Sequence, residues 1–294
     1  LRLGFRALDK AHDLAGTPRM TALTARAREI SGQRLPLWNR YMPGQAAAPQ
    51  GSPVNRGGDR SVVYFPSCIA RTMGSAKGDP DQDPLATVTQ RVLVQAGYQV
   101  LYPEGMQRLC CGMPFASKGL RRVGREKTRE LEKALLKASQ TATHPILCDT
   151  SPCLYHMRTT LDPRLKLYDP VEFIHSFLLD RLTIQPLPET VAVHTTCSSQ
   201  KMGLAPMLRE VASRCATQVI VPDRVGCCGF AGDRGFTFPE LNAAALQDLQ
   251  ASVSGKCGAG YSNSRTCEIG LSLHSGIHYK SIFYLLDRCI SKGV

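Results

Sequence analysis

The chain has 294 residues, 43 % hydrophobic and 20 % charged, a balance that packs into globular domains and excludes wholesale disorder. No run nears the ~18 uninterrupted apolar residues of a membrane span, so any membrane contact is expected to be peripheral. Lys and Arg outnumber Asp and Glu by 36 to 24, for a net charge of +12, and half of that excess falls within residues 1–60. A basic end suits nucleic acid, an anionic membrane surface or an acidic partner. Aromatics are 6 % and do not interleave with the basic residues, so no base-stacking surface and no nucleic-acid partner is expected.

Residues 1–58 read as a helical tether followed by a linker. Helical periodicity runs through Phe5 to Leu8 and Met20 to Ile30, and Pro36, Pro43, Gly44, Gly51-Ser52-Pro53 and Gly57-Gly58 then break it. The first of two domains is predicted over 59–186. Ser61 to Phe65 is a β-rich run ending at Pro66-Ser67-Cys68. Pro84 to Ala96 is a helix with Leu85, Val88, Val92 and Leu93 on one face, and Tyr98 to Tyr102 is a strand. A loop then carries Cys110-Cys111-Gly112, Gly124 to Ser139 is an amphipathic helix, and His144 to Cys148 is a strand before Asp149-Thr150-Ser151-Pro152-Cys153.

The same order recurs over 187–294. Val191 to His194 is a strand leading to Cys197, Pro206 to Ala216 a helix, and Gln218 to Val221 a strand. A loop carries Cys227-Cys228-Gly229, Pro239 to Val253 is a helix, and Gly260 to Cys267 closes the set. Even the closing segments agree, Phe177-Leu178-Leu179-Asp180-Arg181 against Tyr284-Leu285-Leu286-Asp287-Arg288. A period this long excludes a solenoid. The expected fold is α/β: two tandem pseudo-repeated parallel-sheet domains, rich in cysteine, behind a helical appendage.

Twelve cysteines are too dilute for a disulfide scaffold, and with no secretion signal they read as metal ligands or redox thiols. Ten fall into two sets: Cys68, Cys110, Cys111, Cys148 and Cys153, then Cys197, Cys227, Cys228, Cys257 and Cys267. Cys215 and Cys289 lie in helical stretches and are expected to pack as small hydrophobes. In a parallel sheet the cysteine loops gather at one edge, where open α/β sheets bind ligands. Thiolates suit iron–sulfur clusters, usually held by four of them. Adjacent cysteines point in different directions, so both serve one target only if it is larger than an ion. Redox disulfides compete with this reading. Structural zinc is weaker, because no Cys-x-x-Cys pair occurs.

These residues resemble the cysteine-rich CCG domain family, whose pattern is a cysteine, Cys-Cys-Gly, then Cys-x-x-Cys, usually in two copies. Its members include the cysteine-rich subunit of heterodisulfide reductase, the glycolate oxidase iron–sulfur subunit and the C-terminal parts of FAD-linked D-lactate and D-2-hydroxyglutarate dehydrogenases. Tyr64-Phe65-Pro66-Ser67-Cys68, Arg108 to Phe115 and Asp149 to Cys153 look most like the FAD-linked enzymes. The resemblance implies a [4Fe–4S] cluster in one or both copies. Its ligands would be Cys68, Cys110, Cys111 and Cys153, and Cys197, Cys227, Cys228 and Cys267, with Cys148 and Cys257 as second choices. Thr150 and Ser264 stand where the Cys-x-x-Cys partners would be. That departure speaks against the five-thiolate noncubane cluster of the heterodisulfide reductase relative.

The resemblance further implies part of an oxidoreductase with no complete active site in this chain. FAD and ferredoxin-like domains would lie upstream, a start at Leu1 fitting a C-terminal piece. Electrons would pass toward a quinone or cytochrome, in the cytoplasm or on the inner face of the cell membrane. The alternatives are a stand-alone iron–sulfur subunit of glycolate oxidase or heterodisulfide reductase type, an iron-free thiol–disulfide protein cycling cysteines such as Cys148 and Cys153, and a nucleic-acid module with structural zinc. Among the histidines, His194 is either a core residue or a cluster ligand or donor to sulfur. His175 and His278 are placed on the closing helices. His274 and His278, four apart on one predicted helix, are a weak metal pair. Asp149 and Asp233 are read as turn or cap residues.

Overall fold

The structure, a computed structural model, describes residues 2–46 and 60–290. The predicted linker residues Gly51-Ser52-Pro53 and Gly57-Gly58, and the boundary near residue 58, lie outside the described residues. The strands are β1 (Pro43–Gln45), β2 (Arg60–Phe65), β3 (Met73–Ala76), β4 (Tyr98–Leu101), β5 (Ile146–Cys148), β6 (Leu167–Tyr168), β7 (Leu187–Val193), β8 (Ala216–Ile220), β9 (Ala259–Ser262) and β10 (His278–Ser281). The helices are α1 (Arg2–Ile30), α2 (Leu85–Gln95), α3 (Met113–Ala116), α4 (Arg121–Ala138), α5 (Ser151–Thr160), α6 (Pro170–Phe173), α7 (Cys197–Lys201), α8 (Ala205–Cys215), α9 (Arg234–Thr237), α10 (Pro239–Ala245), α11 (Leu249–Val253), α12 (Arg265–Ser275) and α13 (Ile282–Cys289).

Two four-stranded sheets form, in the orders β4-β2-β5-β6 and β8-β7-β9-β10, with every pairing parallel. Written by chain order within each sheet, both are 2-1-3-4. The repeat in the sequence is therefore a repeat in topology. Each sheet reverses direction between its first and third strands, β2 with β5 and β7 with β9. Such a switch point opens a crevice at the carboxyl ends of the strands.

Strand alternation divides the core into three. Val62 and Tyr64 of β2 and Val191 and Val193 of β7 enter one central cluster shared by the two lobes. Val63 and Phe65 point the other way, into a cluster with Leu131 and Leu135 of α4 and Leu154 and Met157 of α5. Ala192 likewise faces a third cluster with Leu249, Val253, Ile269 and Leu271. Both sheets are buried on both faces, as parallel sheets require. On α4 the buried positions are Gly124, Thr128, Leu131 and Leu135, one stripe at helical spacing, while its charged residues face out. Fully burying a leucine contributes about 1.5–3 kcal/mol, which outweighs the marginal propensity of an isolated helix.

Several elements differ from expectation. The predicted helix 239–253 breaks into α10 and α11. His274 and His278 do not share a helix. Gly276, at φ 80, ends α12 in the left-handed conformation, and His278 opens β10 with its ring 5.1 Å from that of Tyr41. The closing helix of the first repeat is a π-turn, Ile174–Leu178, after α6. In the amino-terminal segment, α1 kinks at Gly16, at φ 72. The segment is packed onto the second lobe: buried Arg28 donates to Thr237 O at 2.6 Å and Tyr41 enters the third core cluster.

A polar strap crosses between the lobes. Ser151 N donates to Asn263 O at 3.0 Å, Ser151 Oγ meets Ser198 and Ser199 Oγ at 2.9 and 2.8 Å, and Asn263 Nδ2 donates to Asp169 Oδ1 at 2.8 Å. Asp169 also caps α6, accepting from Val171 N, but its buried Oδ2 has no partner among the described residues. Burial, opposed by those donors, raises its carboxyl from 3.8 to about 6. Between those values the folded chain holds more proton on this group than the unfolded chain, so its contribution to stability falls as pH climbs from about 4 to 6. Asp169→Asn is expected to remove that fall, on the order of 3 kcal/mol across the window. Urea unfolding at several pH values checks this, and identical slopes for the two proteins would contradict it.

Candidate metal centres

In the first lobe β2 runs into Pro66-Ser67-Cys68, and β5 into Asp149-Thr150. Asp149, fully buried, accepts from Ser67 N at 2.9 Å and from Tyr64 Oη at 2.8 Å, while Ser67 Oγ meets Thr150 Oγ1 at 2.8 Å. These bonds join the two strand-end loops. Arg71 joins them to the third, its Nε donating to Pro66 O at 3.0 Å and its terminal nitrogens to Met106 O and Leu109 O, beside Cys110. In the second lobe Thr196 caps α7, accepting from Ser199 N. Gln200 Nε2 there donates to Thr195 O at 3.1 Å and Gly226 O at 2.9 Å, beside Cys227.

The sulfurs follow. Thiol contacts run from Cys68 to Cys110, Cys110 to Cys111, and Cys111 to Cys153. They run likewise from Cys197 to Cys227 to Cys228 to Cys267, the last pair at 2.7 Å. All eight first-choice cysteines thus meet in two quartets. Each has an inner pair that is buried, Cys111 with Cys153 and Cys228 with Cys267. The outer pair Cys68 and Cys110 is half-buried, whereas Cys197 and Cys227 are exposed. Cys153 and Cys267 sit in the first turns of α5 and α12, whose N-caps are Thr150 and Ser264.

One sulfur in each quartet takes the charge. Cys110 accepts from Cys111, Cys68 and the Gly112 backbone N–H at 3.5 Å, which pulls it down to about 2. Cys227 accepts from Cys197, Cys228 and the Gly229 N–H at 3.4 Å, and it falls to about 2 as well. Cys68, Cys111, Cys197 and Cys228 are pushed up, chiefly as donors to these anions. Among the described residues no three His, Cys, Asp or Glu side chains are arranged to hold a single metal ion. The quartets are chains of touching sulfurs rather than shells around one point.

The second choices fare differently. Cys148 is fully buried at the end of β5, its Sγ 3.9 Å from Thr150 O and near Cys153, beside the quartet rather than in its chain of contacts. Cys257 lies against Val253 O at 3.7 Å and near Tyr279. Cys215 and Cys289 meet each other in the central core. His194 is buried beside Cys227, and burial lowers its imidazole to about 4. Its Nε2 has no partner among the described residues. His175 pairs with Glu210 at 2.9 Å, and Asp233 pairs with Lys118 across the lobes. Arg71 and Gln200 brace the cysteine loops and are not picked out by the motif reading. The one signal the sequence offers for them is position, since each lies three residues past the first cysteine of its copy.

A family model described as the CCG cysteine-rich domain matches residues 62–158 and again 191–271. The chain belongs to the CCG cysteine-rich domain family. Its curated relatives include a subunit of the anaerobic glycerol-3-phosphate dehydrogenase of Escherichia coli K12. That protein is 27 % identical over 138 residues, 43 % of this chain and 35 % of the relative. The protein of the same name from E. coli O157:H7 matches to the same extent. The chain therefore spans about a third of the length of these relatives. Among solved structures, the aspartate racemase of Picrophilus torridus is similar at 7 % identity and a TM-score of 0.36, over 78 % of this chain and 90 % of that one. At that score the likeness says nothing of activity.

The CCG glycine has a steric cause in both lobes. Gly112 sits at φ +90, and a Cβ there would lie 2.4 Å from both Gly124 O and Thr128 Oγ1. Gly229 sits at φ +68, with Leu241 O 2.4 Å from the same point. Behind each turn a side chain holds the preceding carbonyl: Thr128 Oγ1 donates to Cys111 O at 2.9 Å, and Asn242 Nδ2 donates to Cys228 O. Gly112→Ala and Gly229→Ala are each expected to cost at least about 2 kcal/mol, from backbone strain plus displacement of the packed helix. Chemical denaturation checks this, and near-wild-type stability would mean the turn relaxes freely.

Proposed function

We propose that each lobe binds one cubane [4Fe–4S] cluster, through Cys68, Cys110, Cys111 and Cys153 and through Cys197, Cys227, Cys228 and Cys267. The observation that carries this reading is the convergence of four thiols from three separated stretches at the same topological position, twice. The donor set fits the group. It offers four soft ligands per lobe, a Gly N–H directed at one sulfur of each quartet, and the unpartnered His194 Nε2 beside Cys227. A bound cluster would supply one-electron redox chemistry. The chain's own residues hold the sulfurs, exclude water from the inner pairs and direct N–H groups toward the ligands. The contracted quartets would have to spread to admit it.

The chain is then the electron-transfer portion of an oxidoreductase. Membership of the CCG family, and similarity to a protein named as a dehydrogenase subunit, support that role. Within it, the motifs around Cys68, Cys110 and Cys153 favour an FAD-linked D-2-hydroxy acid dehydrogenase of D-lactate type. FAD and ferredoxin-like domains would be its electron donors and a quinone or cytochrome its acceptor. No helix among the described residues is long and apolar enough to cross a membrane, and we place the protein in the cytoplasm or peripherally on the inner membrane face. We assign the first domain to 59–186 and the second to 187–294, a division supported by the two separate parallel sheets.

A second reading rests on the contact of Cys228 and Cys267 at 2.7 Å. Oxidation of that pair to a disulfide would pass two electrons and two protons to an acceptor disulfide, which becomes two thiols, with no iron involved. Anaerobic purification followed by iron and acid-labile sulfide analysis separates the readings. The wild-type chain is expected to carry both elements in equal amounts. Cys110→Ser or Cys227→Ser should remove about half of each, and Cys215→Ser none. Iron-free protein with a titratable disulfide would establish the second reading instead.

A further inference from the structure

The two lobes use the same brace with different charge. Arg71 and Gln200 each lie three residues past the outer cysteine of their lobe, Cys68 and Cys197. Arg71 Nε donates to Pro66 O, two residues before Cys68, and Gln200 Nε2 to Thr195 O, two residues before Cys197. Arg71 then donates to Leu109 O, immediately before Cys110, and Gln200 to Gly226 O, immediately before Cys227. Both bonds of Gln200 have a counterpart in Arg71, which adds bonds to Ser67 O and Met106 O, so the bracing the lobes share does not require a charged side chain. Gln200 does the same bracing with a neutral amide.

The difference is a permanent positive charge. Arg71 is 3 % exposed, its guanidinium enclosed by the Pro66, Ser67, Met106 and Leu109 carbonyls and set 5.9 Å from the Phe65 ring centroid. From there it acts on both outer sulfurs, favouring negative charge on Cys68 and Cys110. In the second lobe the neutral Gln200 takes the equivalent place, and the titratable neighbour of Cys227 outside its own quartet is His194, held neutral by burial.

We propose that the residue three past the outer cysteine sets the redox balance of each lobe: Arg71 raises the reduction potential of the first-lobe site, and Gln200 leaves the second-lobe site without that increment. The proposal rests on the cluster reading above. One-electron reduction adds a negative charge to the site, and a fixed cation in a low-dielectric surround stabilises the reduced form more than the oxidised form. Arg71 is thus a positioning residue through its carbonyl bonds and an electrostatic one through its charge. Gln200 keeps only the first role. Exposure of Cys197 and Cys227 and the His194 imidazole also act on the second site, so the test changes one side chain at a time within one lobe.

The experiment uses the full chain, loaded with iron and sulfide, with Cys227→Ser leaving only the first-lobe cluster and Cys110→Ser only the second. Potentials are read by anaerobic redox titration followed by electron paramagnetic resonance. In the first background Arg71→Gln should shift the potential downward and Arg71→Lys should leave it close to the starting value. In the second, Gln200→Arg should shift it upward. Iron content of each variant controls for loss of the site, and Gln200→Arg carries the test if Arg71→Gln fails to fold. Unchanged potentials at full iron content would overturn the proposal and leave the cluster reading standing. Absence of iron from the wild-type chain would overturn the cluster reading, and the proposal with it.

Discussion

Four sulfurs meet in each lobe because a parallel sheet sends its strand-end loops to one edge. The order 2-1-3-4 puts the first and third strands side by side with their crossover helices on opposite faces. Cys68 and Cys153, or Cys197 and Cys267, therefore leave neighbouring strand ends. The second strand's long return loop brings the Cys-Cys-Gly turn across the same crevice. The proposed cluster sites depend on that convergence. It is held locally by few bonds, with Asp149 tying two loops in the first lobe and Arg71 and Gln200 tying the Cys-Cys-Gly loop in each.

Much of this was legible in the residues. Val62 to Phe65 and Val191 to Val193 are β-branched or apolar on both faces, the mark of strands buried twice over, and the helices at 85–95, 121–138 and 205–215 carry clean apolar stripes. Among the elements of two to four residues, β4 and β5 were read as strands and others were not. β6 and β10 are too short for periodicity to register, and His278 reads as helical because Gly276 lies only two residues before it. Gly276 is in fact the stop signal. The break between α10 and α11 is likewise tertiary, since Leu246 and Leu249 both turn into the third core cluster.

The candidate site divides in the same way. Two sets of five cysteines could be read from the recurring order of strand, loop and strand, and the family resemblance named the four in each. Cys257 could not be separated from Cys267 by spacing, and it is folding around Val253 and Tyr279 that parts them. The bracing roles of Arg71, Gln200 and Asn242 are set by carbonyl partners 38, 26 and 14 residues away, and the side chains themselves do not announce those partners. Asp149 was expected in a turn. It is there, but its carboxylate is wholly buried and spans from Tyr64 to Ser67.

The strap through Ser151, Ser198, Ser199, Asn263 and Asp169 makes each half the cover for polar groups of the other. In the first lobe Asp149 bonds within its own half, while its counterpart Asn263 reaches into the other half for Asp169 and Ser151. A single unit alone would have to satisfy these polar groups in some other manner, as by facing a second copy of itself. A gene trimmed to either half would encode a chain with an apolar face and several orphaned hydrogen-bonding groups turned toward water.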